Sequence, residues 1–306
     1  MKTGIQFLIL SFLMLALSSC GSSSSTSAGR GGVMEGGLTL KITDAPVDGA
    51  LAVWIQFSGV TIKPANGSAF DIIFDTPLDI NLLSLQAGKT EVLLENVKLT
   101  PGKYNWIRLH VNATRDSVLD SYIILADGRN EELNIPASAE IGLQIINDIE
   151  IASNKDVNLI IDFDLRRSVV ESAGAAYDLL PVLKIVNADN MVSLHGTIDP
   201  LLLMSADCSD ALPNTGNAVY VFAGKDAAPA DMNVGNTNLV ATANVMQNIQ
   251  TGDYEYIVSC LEPGEYTVAF TCQADQDQPD ARDNIIFSMV ENVEVAKESN
   301  VVTNMR

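Results

Sequence analysis

Leu99-Thr100-Pro101-Gly102-Lys103-Tyr104 and Leu261-Glu262-Pro263-Gly264-Glu265-Tyr266 repeat one pattern, Leu-x-Pro-Gly-x-Tyr. Proline fixes φ, and glycine accepts conformations that other residues resist, so each copy is a turn. Each copy also opens an alternating run, with Ile107, Leu109 and Val111 after the first and Val268 and Phe270 after the second. That period of two is the mark of a half-buried strand. The leucine packs before the turn, and the tyrosine hydroxyl is placed to bond back to turn backbone. Two such corners predict two sandwiches.

The same period recurs on both sides of the corners. Leu51 to Ser58 places Val53, Ile55 and Phe57 on one face and Trp54, Gln56 and Ser58 on the other. Further short runs lie at 38–43, 70–74, 90–94, 120–126, 155–163 and 182–187, then at 193–198, 218–223, 238–245, 254–259 and 285–295. Gly, Pro, Asn and Asp separate them, and no amphipathic helix longer than about two turns interrupts them. The expected fold is all-β, two antiparallel immunoglobulin/transthyretin-like β-sandwiches over 37–189 and 190–306.

Ahead of these strands the chain reads differently. Lys2 precedes the apolar run Ile5 to Leu17, too short to span a bilayer and suited to a signal peptide over 1–19. The run ends in Leu17-Ser18-Ser19-Cys20, which resembles the bacterial lipobox, and that resemblance implies acylation of Cys20. Several acyl chains on one residue give stable anchoring where one would be marginal. Bacterial lipoproteins kept in the inner membrane often have Asp after this cysteine, so with Gly21 there the resemblance implies the outer membrane of a Gram-negative envelope, with the periplasmic or surface side left open. Residues 20–36 then read as a lipidated Gly/Ser tether, a composition that cannot order itself by burial.

Charge and composition exclude much else. The 306 residues hold 18 Lys and Arg against 38 Asp and Glu, a net charge of -20, so a nucleic acid would be repelled. Residues 190–306 alone carry 4 basic and 16 acidic side chains, net -12. The only histidines are His110 and His195, which leaves little for a zinc site or a Ser/His/Asp engine. No nucleophile elbow or glycine-rich phosphate loop is present.

Four segments carry a family resemblance: Thr43-Asp44-Ala45-Pro46, Leu99 to Tyr104 running into Ile107-Arg108-Leu109, Asp162-Phe163-Asp164 before Ser168-Val169, and Pro181-Val182-Leu183. In this order they resemble the domain of unknown function 4382 family of bacterial lipoproteins, over residues 37–189. The resemblance implies a fold and a location but no chemistry. Residues 193–306 resemble carboxypeptidase-regulatory or transthyretin-like domains through Gly196-Thr197-Ile198 and the second corner.

Four groups of residues are candidates for function. Cys208, Cys260 and Cys272 allow one disulfide and one spare thiol in any of three pairings, or three reduced buried thiols; the parity of Tyr266, Val268, Phe270 and Cys272 turns Cys272 inward, and Cys208–Cys272 is the favoured pair. Asp275, Asp277, Asp280 and Asp283 crowd one loop, which is either a calcium site without the EF-hand spacing or a solvated acidic loop. Asp162 and Asp164 share a strand face beside Arg166 and Arg167, and are read as an intradomain salt bridge rather than a hydrolase carboxylate pair. Trp54, Trp106, Arg108 and His110 occupy polar parity positions and could form a platform for a protein or glycan, unless other chain covers them. The expectation is a non-enzymatic envelope lipoprotein, membrane-anchored, with no cofactor beyond a possible calcium ion. The alternatives are an envelope hydrolase with a carboxylate site in sandwich loops and a calcium-dependent adhesion module.

Overall fold

The computed structural model describes residues 34–172, 174, 176–208, 216–233, 235–297 and 301–306. The signal segment, Cys20 and most of the tether lie outside the described residues. The proximal half contains β1 (Gly36–Ala45), β2 (Ala50–Pro64), β3 (Phe70–Asn81), β4 (Glu91–Leu99), β5 (Gly102–Asn112), β6 (Tyr122–Leu125), β7 (Asn130–Asn134), β8 (Gln144–Ile151) and β9 (Asp156–Asp164). One helical turn, α1 (Leu165–Ser168), leads into β10 (Val169–Ser172), β11 (Ala176–Leu179) and β12 (Leu183–Asn187). The distal half runs through β13 (Val192–Ile198), the single turn α2 (Pro200–Leu203), β14 (Ala218–Ala223), β15 (Leu239–Asn244) and β16 (Met246–Gln247). It ends with β17 (Tyr254–Leu261), β18 (Gly264–Thr271), β19 (Met289–Val295) and β20 (Val301–Val302).

These strands form four sheets, two in each half. Proximally, β12-β9-β1-β4 faces a larger sheet ordered β10-β11-β7-β6-β2-β5-β8, with β3 on the other edge of β2. Leu38, Leu40 and Ile42 of β1 and Val53, Ile55 and Phe57 of β2 share one core, as the alternation requires. Distally, β16-β17-β13-β20 and β15-β14-β18-β19 enclose Leu194, Tyr256, Val258, Val221, Val268 and Phe270.

Both Leu-x-Pro-Gly-x-Tyr copies carry the chain from one sheet to the other, β4 to β5 and β17 to β18. Tyr104 Oη donates to the Thr100 carbonyl at 2.8 Å, and Tyr266 Oη to the Glu262 carbonyl at 2.7 Å. Each hydroxyl therefore closes its own corner, and the leucines Leu99 and Leu261 are buried beneath it.

The sheets are not purely antiparallel. β1 pairs antiparallel with β4 but parallel with β9, and β13 repeats this with β17 and β20. A third parallel pair joins β11 to β7. Alternation reports which face a side chain takes and says nothing of strand direction, so a late strand returning beside the first one leaves no periodic trace. The tether also stops earlier than its composition suggests. Gly36 and Gly37 belong to β1, where a Cβ on Gly36 would meet the Ala152 carbonyl oxygen at 2.5 Å. Despite the separate cores, Val33–Arg306 forms one compact unit.

Candidate functional site

Three of the four family segments converge on one region. β9 lies between β1 and β12, and the register sets Asp44 opposite Phe163, Leu183 opposite Phe163 and Lys184 opposite Asp162. The chain then turns sharply through α1. Asp164 Oδ1 caps it by accepting from the Arg167 amide at 3.2 Å, as an N-cap carboxylate should. Ser168 Oγ donates to the Asp164 carbonyl at 2.6 Å and accepts from the Val182 amide at 2.9 Å. Asp44 Oδ1 accepts from the Leu165 amide at 3.3 Å, and Thr43 Oγ1 donates to the Lys89 carbonyl at 2.7 Å. Burial raises the Asp164 carboxyl above its ordinary range, with Arg167 opposing the shift.

This corner holds the distal half. Arg166 is buried and bonds both Asp48 of its own half and Asn244 Oδ1 of β15. Arg167 donates to the carbonyls of Leu239 at 3.2 Å and Asn236 at 3.1 Å. Lys184 Nζ lies 3.1 Å from Asp162 Oδ2 and donates to the Val240 carbonyl at 2.7 Å. Beside them Ile160 and Val186 pack on Cys260. The expected salt bridge is thus real for Asp162 but made with Lys184, while the arginines reach across the junction. Sequence neighbours gave no sign of this, because Arg166 and Asn244 are 78 residues apart.

A cleft of about 230 Å³ opens at the same junction. Pro46, Gln86 and Ala87 line it from the proximal half and Met246, Glu255, Ile257 and Ser259 from the distal half, over Asp44, Asp162, Thr242 and Asn244. Asp44 and Asp162 are buried, and so is Thr242. Sequence reasoning singled out Asp162 but missed Thr242 and Glu255, which carry no motif.

Other candidates fall out differently. Cys208 and Cys272 form the favoured disulfide, with Cα atoms 5.3 Å apart, and Cys260 is a buried free thiol. Burial pushes that thiol up to about 12, helped by nearby Asp162, so it stays protonated and a poor nucleophile.

The four platform residues share a face but are not brought together. The register sets Lys63 beside Trp106 and Gln56 beside Asn112, so the two tryptophans lie roughly 25 Å apart along the strands. Trp54 stacks on Tyr122 with ring centroids 6.4 Å apart, whereas Trp106 lies under Arg108 at 5.5 Å. His110 Nε2 sits 2.6 Å from Thr61 Oγ1, which donates to Asp71 at 2.6 Å. Here the hydroxyl stands between imidazole and carboxylate. A Ser/His/Asp engine needs the imidazole in the middle.

The acidic loop is neither a cation cage nor simply solvated. Asp277 turns inward, accepting from Tyr220 Oη at 2.9 Å and the Met232 amide at 3.1 Å, while Asp275 and Asp280 are exposed. Asp283 bonds the Gln278 amide at 2.7 Å. Among the described residues no group of three His, Cys, Asp or Glu side chains could hold a metal ion. The reason is packing: Phe287 meets Tyr220 and Phe222 edge-on at 5.5 and 6.0 Å, and its loop closes over the outer face of β14.

Burial, reinforced by Asp231 and Asp283, raises the Asp277 carboxyl to about 6. Between its ordinary value and 6 the folded protein holds a proton that the unfolded chain has lost, so this group's contribution to stability falls as pH rises through that window. Asp277→Asn keeps an acceptor for both donors and removes the charge. The variant should be more stable than wild type at pH 7.5 by ~1 to 2 kcal/mol, with the difference vanishing near pH 4. Thermal melts across pH 4 to 8 check it; parallel curves would refute the assignment.

Residues 35–181 match the family described as Domain of unknown function (DUF4382), so this stretch is a DUF4382 domain. No curated protein matches the chain. Among solved structures it is similar to the Bacillus anthracis TIE protein, at 13% identity over 89% of this chain and 34% of that one, with a TM-score of 0.19. The chain thus spans about a third of that protein's length. It is also similar to the minor pilin of Streptococcus agalactiae, at 8% identity over 87% and 93% of the two chains, with a TM-score of 0.19. The major pilin from Streptococcus pyogenes gives 11% identity over 88% and 96%, with a TM-score of 0.18.

Proposed function

We propose that this protein is a lipid-anchored, non-catalytic module of the bacterial outer membrane that binds a protein or glycan partner. In this reading each pair of sheets is a sandwich of the immunoglobulin/transthyretin kind, the distal one resembling carboxypeptidase-regulatory domains. The observation that carries it is the commitment of the reactive side chains to structure. Asp162 is held by Lys184, Asp164 caps a helical turn, both arginines tie the halves together and Cys260 is packed in an apolar cluster. Groups so engaged hold a shape, and they are not free to trade protons with a substrate. The Cys208–Cys272 disulfide supports an oxidising compartment. Anchoring rests on Leu17 to Cys20.

Detergent phase separation of cells expressing wild type and Cys20→Ser tests the anchor. Wild type should enter the detergent phase and the variant should appear in the aqueous phase or keep an uncleaved leader. Equal partitioning of both would sink the lipoprotein reading.

A further inference from the structure

We propose that the cleft between the two halves binds a primary ammonium group carried on a short apolar stem. This rests on reading the protein as a binding module, and it names the chemistry of the ligand.

The lining is one-sided in charge. Asp44 and Asp162, only 4% and 6% exposed, and Glu255 contribute carboxylates, and no lysine or arginine lines the cleft. Lys184 compensates Asp162 from outside, spending its donors on Asp162 and the Val240 carbonyl. Among the described residues the Glu255 carboxylate meets the neutral Asn248 amide, at 3.1 and 3.2 Å, and no cation. An uncompensated carboxylate beside two buried ones favours a cation and repels an anion.

A second observation is independent of charge. Thr242, 4% exposed, lines the cleft, and its hydroxyl has no hydrogen-bond partner among the described residues. On β15, Ala241 and Ala243 face the distal core, so Thr242 and Asn244 take the opposite face, toward the proximal half. A buried hydroxyl without a partner costs free energy that a bound donor would recover. An ammonium offers three such donors.

The rim selects the stem. Met246 and Ile257 line the cleft at 55% and 46% exposure. Apolar side chains left in water around an acidic floor suit a ligand with a charged head and a hydrocarbon body. The cleft's 230 Å³ equals the liquid volume of roughly seven or eight waters, which suits a short amine and not a polymer segment.

Titration calorimetry of the mature full chain with n-butylammonium chloride tests this, with 1-butanol and sodium butyrate as neutral and anionic counterparts. Saturable one-to-one binding of butylammonium alone is expected. Glu255→Gln and Thr242→Val should each weaken it about fivefold or more, and Lys98→Ala on a distant exposed pair should leave it unchanged. Amide shifts in the wild type, centred on Thr242, Asn244 and Ile257, are an independent readout should a variant misfold. Equal responses to all three probes, undiminished binding by both variants, or shifts confined elsewhere would overturn the site. Absent binding combined with Cys20-dependent partitioning would overturn the ammonium site and leave the envelope-module reading standing.

Discussion

Arg166→Met should lower the unfolding free energy by about 3 to 5 kcal/mol, the usual cost of removing one member of a buried ion pair. Arg166 is 1% exposed in its side chain, against 22% for Asp48, so the carboxylate left behind is largely desolvated. Asn244 Oδ1 and the Ala274 carbonyl lose a donor at the same time. The double variant Asp48→Asn/Arg166→Met removes the stranded charge and should recover part of the loss. Lys98→Ala, which breaks an exposed pair with Asp156 at 3.8 Å, should change stability by less than ~1 kcal/mol. Urea denaturation of the four proteins decides this. A loss below 1 kcal/mol for Arg166→Met would mean that the junction does not depend on Arg166.

The second large effect is expected from the disulfide. Cys208 and Cys272 enclose a sequence separation of 64 residues, for which chain entropy gives a contribution of about 4 kcal/mol. The bond ties the segment after α2 to the end of β18, and both cysteines border the distal core. Cys208→Ser/Cys272→Ser should therefore destabilise the distal half by this order, and reducing agent should do the same to wild type. Cys260→Ala should lose the same stability to reducing agent as wild type does, since its thiol is not in the bond. If the double variant unfolds at the wild-type urea concentration, the bridge is not structural.

Much of the architecture was readable because it rests on local rules. Val53, Ile55 and Phe57 had to share a face, and two Pro-Gly turns followed by tyrosine had to be corners. β8 was missed because Gln144-Ile145-Ile146-Asn147-Asp148 breaks the alternation, and the register with β5 slips between Tyr104 and Trp106. β10 and β11 are too short to show a period. The site was harder to read for a related reason. Parity put Trp54 and Trp106 on one face, yet only the register between β2 and β5 shows that they sit at its opposite ends. Four carboxylates in nine residues suggested an ion, whereas Phe287 and the outer face of β14 draw their loop down as a cover. The junction was least visible, since its partners are carbonyls of β15, which have no residue-type signature at all.

Two sheet pairs, each with its own core, are joined so firmly by Arg166, Arg167 and Lys184 that a cleft can persist between them. Differential scanning calorimetry of the oxidised wild-type protein tests this most directly. One cooperative transition, with calorimetric and van't Hoff enthalpies in agreement, is predicted for wild type, and Arg166→Met should split it in two. Two separate transitions in the wild type would contradict it.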